Sequence, residues 1–347
     1  MLRTIRRAAA LMTIALAAGC TATAPALDTT SAAPASSSST TSAGADGTAE
    51  PTTIRIASLK GPTTMGMVRL MSDAEAGATT HDYQVTMYGT ADEVVPLVVQ
   101  GQVDVALVPA NLASVLYNRT EGAVQVAAVN TLGVIYVVET GETISEVADL
   151  AGRTVYSTGK GTSPEYVLNH ILTENGLDPA TDLTVEYRSE ATELAVLLAE
   201  SDDAVAVLPQ PYVTVVQGQN PEVRVALSLT EEWDAVSPES GLVTGVLLVR
   251  REFAAANEAA FDDFLTDYEA STAFTNSSVP EAAELVASYG IVPAAPVAEK
   301  AIPACNITYL EGAELRARLG GYLEVLHAAN PESVGGALPG DDFYYER

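Results

Sequence analysis

Gly159-Lys160-Gly161-Thr162-Ser163-Pro164-Glu165 is the stretch on which the reading of this chain turns. The short apolar run Thr154-Val155-Tyr156 precedes it, and Val167, Leu168, Ile171 and Leu172 follow at helical spacing. A strand therefore ends in a glycine-flanked turn, and a helix opens with Ser163 as N-cap and Pro164 in its first turn. Such a turn aims backbone N–H groups and the positive end of a helix dipole at whatever sits above it. It is a place to hold a small anionic or strongly polar ligand.

The arrangement occurs twice. Ser58-Leu59-Lys60-Gly61-Pro62-Thr63-Thr64 follows the apolar run Ile54-Arg55-Ile56, one hundred residues upstream, and both the lysine and the next glycine match. At the same offset Glu93 to Pro109 aligns without gaps on Glu193 to Pro209. Val and Ala match cheaply in this chain, so the weight rests on Lys-Gly, Glu and Pro. Lysine occurs only three times, and two of the three stand in these turns. The expectation is two copies of one β-turn-α…β-α…β-Pro unit facing each other.

The N-terminus reads as an export signal. Arg3, Arg6 and Arg7 form a basic region, Ala8 to Ala18 an apolar one too short for a comfortable membrane span, and small residues then lead to Gly19-Cys20. A signal over residues 1–19 and a lipid on Cys20 are expected, as in bacterial lipoproteins. From residue 20 to 52, Ser, Thr, Ala, Pro and Gly leave too little apolar surface to offset the ordering entropy, which predicts a disordered tether. The protein would then be anchored to a membrane rather than embedded in it.

The formal charge is −28, and more negative still without the three N-terminal arginines. An acidic body repels phosphate backbones, so nucleic acid is excluded as a partner. With Cys20 lipidated, Cys305 has no partner; its surroundings, Ile302-Pro303-Ala304-Cys305-Asn306-Ile307, suit a buried small apolar residue.

Strands alternate with helices along the body, which predicts a mainly parallel sheet covered on both faces, with ligands beyond the carboxyl ends of its strands. In the first unit a strand at Tyr83–Tyr88 precedes a capping box, Thr90-Ala91-Asp92-Glu93, and a buried strand ends at Pro109-Ala110-Asn111. Two long β-rich runs, Thr131 to Val138 and Gly241 to Val249, bracket the second unit and read as hinge strands carrying the chain into a second lobe and back. The expected division is 53–133 with 245–347 as lobe I and 134–244 as lobe II. Helices at Ala254–Ala270, Pro280–Tyr289, Pro296–Ala301 and Gly312–Ala329 are expected to pack on lobe I, and Phe343-Tyr344-Tyr345 to pin the tail.

Three runs carry a family resemblance: Leu59-Lys60-Gly61-Pro62-Thr63-Thr64-Met65-Gly66, Gly159 to Tyr166, and Val207-Leu208-Pro209-Gln210-Pro211-Tyr212-Val213-Thr214. The body from Thr53 onward resembles substrate-binding proteins of ABC importers, in the group that binds nitrate, sulfonates, taurine and thiamine-pyrimidine precursors. Gln210 stands where that group more usually has an acidic residue. The resemblance implies an α/β, two-lobed fold of the periplasmic-binding-protein type (type II). Each lobe would hold a mixed, mainly parallel sheet, with two crossing hinge strands between them. It also implies a small-molecule ligand, an ABC permease as partner, and a location outside the cytoplasmic membrane.

The ligand is expected to bridge the two turns. Lys60, Gly61, Thr63 and Thr64 would contribute from one, and Gly159, Lys160, Gly161, Thr162 and Ser163 from the other. Tyr88, Asn111, Gln210 and Tyr212, at strand ends, would read its shape. Trp233, the only tryptophan, either stacks on a heterocycle or anchors the structure near the hinge. No cofactor and no metal is expected, and the chain is expected to be a monomer. His81, His170 and His327 stand apart, and no nucleophile elbow, metalloprotease motif or P-loop spacing occurs. The resemblance extends to enzymes of thiamine-precursor and menaquinone biosynthesis, which share the fold. The export signal argues against that alternative, and a ligand-sensing surface lipoprotein without a transporter is a third.

Overall fold

Alternation of apolar residues sets the first strand, β1 (Thr53–Leu59), where Ile54, Ile56 and Ala57 are buried. The computed structural model describes residues 50–347. The signal over residues 1–19, Cys20 and nearly all of the tether lie outside the described residues.

After β1 come the short α1 (Pro62–Met65), α2 (Val68–Glu75), β2 (Asp82–Tyr88), α3 (Ala91–Val99), β3 (Val105–Pro109), α4 (Ala110–Arg119) and β4 (Val124–Leu132). The chain then builds β5 (Ile135–Thr140), β6 (Thr154–Ser157), α5 (Ser163–Glu174), β7 (Thr184–Tyr187), α6 (Ala191–Glu200), β8 (Val205–Pro209), α7 (Tyr212–Gln219), β9 (Val223–Ser228) and α8 (Leu229–Val236). It returns through β10 (Val243–Arg250) to α9 (Arg251–Ala256), α10 (Glu258–Ser277), α11 (Val279–Ser288), α12 (Ala295–Ala301), β11 (Ile307–Leu310) and α13 (Gly312–Ala329).

These strands form two mixed sheets, ordered β11-β4-β10-β3-β1-β2 and β7-β6-β8-β5-β9. Read from the β2 edge, the first runs β2-β1-β3-β10-β4, and the second repeats that order strand for strand. Directions repeat as well. β1 is parallel to β2 and β3, as β6 is to β7 and β8; β10 runs antiparallel to β3 and β4, as β5 does to β8 and β9. β3 and β8 lie at the centre and are buried on both faces, which is why Val105–Val108 and Val205–Leu208 read as unbroken apolar runs. Architecture is thus mixed α/β, with helices covering parallel strands.

The helix following β2 starts at the expected box, Glu93 Oε2 accepting the Thr90 amide at 3.1 Å. The sequence repeat is a structural one, α3–β3 matching α6–β8 at an offset of 100 residues. Pairing corrects its first element. Ile56 pairs with Val105 and Val155 with Val205, so β1 and β6 are offset by 99 and Lys60 is equivalent to Gly159. The second turn is also longer than the first.

Two further expectations need correcting. Thr131 to Val138 is not one strand: β4 ends at Leu132 and β5, in the other sheet, begins at Ile135. Gly133 sits at the break because nothing larger fits, a Cβ there falling 2.0 Å from Thr230 Oγ1. The late helices do not pack on the first sheet alone. α12 contacts α7, and α13 contacts α5 as well as α4 and β4. Trp233 of α8 and Tyr322 of α13, both fully buried, stand with ring centroids 5.3 Å apart. Burial raises the thiol pKa of Cys305, which is packed against Met65.

Candidate functional site

Equivalent turns of the two sheets enclose a cavity of about 420 Å³. From the first sheet come Lys60 and Thr63, after β1, and Thr90 and Asp92, after β2. The second contributes Gly159, Lys160, Thr162 and Ser163, after β6, and Tyr187, which ends β7, with Arg188 and Glu190 after it. Pro109 and Pro209 close β3 and β8, and Ile135 and Thr244 come from the two crossings. The cavity therefore lies beyond the carboxyl ends of the parallel strands, where the topology leaves turns rather than covering helices.

Of the residues singled out in the sequence, Lys60, Thr63, Gly159, Lys160, Thr162, Ser163 and Tyr212 line this cavity, whereas Gly61, Thr64, Tyr88, Asn111, Gly161 and Gln210 do not. Each of the second group has an internal task. Gly61 holds a left-handed φ of 142° at the start of α1. The Thr64 hydroxyl is buried between Ser58 Oγ and the Leu59 carbonyl. Tyr88 accepts the Lys60 amide with its carbonyl and packs its ring on the core. Gln210 Oε1 accepts from the Thr214 amide and hydroxyl, bracing the start of α7. Asn111, fully buried, donates to the carbonyls of Ser333 and Gly161. The Gly161 amide is bound by the Glu165 carboxylate.

The donors of the turns also differ from expectation. Ser163 is not the N-cap of α5; Thr162 is, and its hydroxyl donates back to the Gly159 carbonyl at 2.6 Å. Thr63 likewise donates to the Leu59 carbonyl at 3.0 Å, and Ser163 to Asn111 Oδ1 at 3.3 Å. Their protons are thus committed within the protein, and these three hydroxyls are not free donors toward the cavity. Positive charge comes instead from Lys60, Lys160 and Arg188. The Lys160 ammonium lies 5.7 Å from the centroid of the Tyr187 ring, and Arg188 stacks 5.1 Å over Tyr156 while pairing with Glu186 at 3.0 Å. Asp92 and Glu190 supply negative charge at the starts of α3 and α6. Burial, then the Glu190 carboxylate, push the Tyr212 phenol up to about 12, so it stays neutral.

Sequence reasoning missed Asp92, Tyr187, Arg188, Glu190 and Thr244. The repeat itself pointed to Arg188, which stands one hundred residues after Tyr88.

Two sheets of one topology, joined by two crossings and facing a common cavity through equivalent turns, make up the architecture of a two-lobed solute-binding protein. The chain belongs to the family described as ABC transporter, phosphonate, periplasmic substrate-binding protein, whose model matches residues 72–301. Among solved structures it is similar to an ABC transporter from Parabacteroides distasonis, at TM-score 0.69 and 21% identity over 85% of this chain and 99% of that one. It is similar to the periplasmic aliphatic sulphonate binding protein SsuA of Escherichia coli, at TM-score 0.67 and 19% identity over 85% and 92% of the two chains. The periplasmic nitrate-binding protein NrtA of Synechocystis PCC 6803 follows at TM-score 0.58 and 12% identity, over 77% and 75%. A comparison with curated proteins finds no match. This protein is thus a solute-binding component of the ABC-transporter type, of a family that works outside the cytoplasm. No described helix is long and apolar enough to cross a membrane.

Proposed function

We propose that this protein captures a small organic oxyanion between its two lobes and delivers it to an ABC importer. One observation carries the reading: Lys60 and Lys160, two of the three lysines in the chain, line the same cavity from opposite sheets. The lobes are taken as 53–133 with 245–347, and 134–244. Closure brings both ammonium groups to one anion, and a ligand that touches both lobes only when they are closed shifts the equilibrium by that difference in affinity. Tyr187 and Tyr212 supply apolar walls for an organic body. Phosphonate, sulphonate and nitrate, the ligands named for the family and two of its structural neighbours, share this oxyanion chemistry.

Binding without catalysis fits the placement of the histidines. His81 pairs with Asp263, His170 bonds Ser237, and none of the three lines the cavity. The lipid on Cys20 and the tether would hold a monomer at the outer face of the cytoplasmic membrane, within reach of a permease. Cys20→Ser should then move the protein from the membrane to the soluble fraction.

The test is thermal unfolding of the full chain with methylphosphonate, methanesulfonate, nitrate or acetate. A ligand at a hundredfold excess over its dissociation constant stabilises by about 2.7 kcal/mol. The double variant Lys160→Ala, Thr162→Ala should lose the shift and remain folded. No shift in the native protein with any of these anions overturns the reading.

A further inference from the structure

The strand that re-enters the first sheet does so through an irregular ladder, its register against β4 shifting on either side of Gly245. Val243 of β10 pairs with Leu132 and Gly245 with Thr131, so Thr244 is left outside the ladder with β4. A bulge of this kind re-aims the side chain of its extra residue, and Thr244 lines the cavity. Its neighbour holds it in place. A Cβ on Gly245 would fall 2.5 Å from Asn130 Oδ1 and 2.7 Å from Thr63 Cγ2, so the bulge is pressed against the turn that carries Lys60. The Thr244 hydroxyl is buried and, among the described residues, has no hydrogen-bond partner. A buried hydroxyl left in that state is a standing penalty unless something else satisfies it.

We infer that Thr244 is a ligand-contacting residue whose hydroxyl bonds a polar atom of the solute other than the oxyanion held by the lysines. A turn about χ1 exchanges the hydroxyl with the methyl group. No protein hydrogen bond is broken by that turn, so the hydroxyl reaches the cavity at little expense. The preferred solute class is then a short-chain phosphonate or sulfonate that also carries a hydroxyl. The inference rests on the oxyanion reading above. Because Thr244 lies on the returning crossing, a solute bound there touches the hinge as well as both turns.

Titration calorimetry on the full chain with 2-hydroxyethylphosphonate against ethylphosphonate, and 2-hydroxyethanesulfonate against ethanesulfonate, tests it. The native protein should prefer the hydroxylated member of a pair about tenfold. Thr244→Val should erase the preference while binding the plain member within about threefold of native, and Thr244→Ser should keep it. Ligand-free Thr244→Val should unfold at the native temperature or above, since it loses no bond. A preference that survives in Thr244→Val, a native protein without preference, or a lowered unfolding temperature for ligand-free Thr244→Val each overturns the inference. If such a failure comes while Lys160→Ala, Thr162→Ala still abolishes binding, the oxyanion reading stands alone. Native protein that binds neither pair removes both.

Discussion

Asn111 Nδ2 lies 3.4 Å from the carbonyl oxygen of Gly161 and 2.9 Å from that of Ser333, and Asn111 Oδ1 accepts from Ser163. One fully buried amide at the start of α4 thus ties the first sheet to the second glycine turn and to the C-terminal segment. It adds a polar clasp to the helix contacts that already join the two halves. Asn111→Ala leaves two carbonyls and a hydroxyl unpaired and should cost about 1–3 kcal/mol. Calorimetric unfolding checks the loss, and small-angle scattering of the ligand-free variant should show a larger radius of gyration. Unchanged values in both would remove the clasp.

Lys60 and Lys160 should act on one anion from two sides. Each single alanine variant should weaken binding, and native affinity should fall as salt rises, because exposed charges are screened within about 8 Å at physiological ionic strength. Titrations at two salt concentrations read this directly. A salt-independent affinity would point to a neutral solute.

Gly245 is required by contact, since only its lack of a side chain lets β10 approach Thr63 and Asn130. Gly245→Ala should destabilise by about 1–3 kcal/mol through overpacking and should lower affinity by displacing Thr63. Chemical denaturation and calorimetry measure the two effects separately.

Asp104, 3% exposed, is held by Arg55 at 2.7 Å and Arg250 at 3.1 Å. Burial pushes its pKa up, but the hydrogen bonds from the two arginines outweigh that and leave it below the usual carboxylate value. A lowered carboxylate pKa stabilises above the unfolded value of about 3.9 and ceases to do so as pH falls through the folded one. The contribution of Asp104 to stability should therefore be flat near neutrality and be lost below about pH 4. Asp104→Asn, which breaks a buried ion pair, should cost about 3 kcal/mol at pH 7, with the gap to native closing in acid. A gap that stays constant down to pH 2 contradicts this account.

What the sequence disclosed was periodic. Glu93 to Pro109 recurs at Glu193 to Pro209 because both stretches build the same helix and central strand, and buried positions repeat their apolar character. The lysine turns were legible because a lysine beside a glycine is rare in this chain. Properties of pairing were not legible. The one-residue shift between β1 and β6 and the bulge at Thr244 exist only in the ladder, and a strand read alone does not show its partner's register. Nor does an apolar stripe name what it faces. Leu315, Leu319, Tyr322 and Leu323 announce a helix, yet contact with both halves of the molecule is decided by the path of the chain.

Trp233 sits under Tyr322 at the one seam where α8 meets the C-terminal helix, and it is the sole indole of the chain. Any movement of that seam must alter the surroundings of the one tryptophan. The protein therefore carries its own optical gauge of opening. Its emission, short-wavelength while Trp233 is buried, should respond to solute without any label being attached.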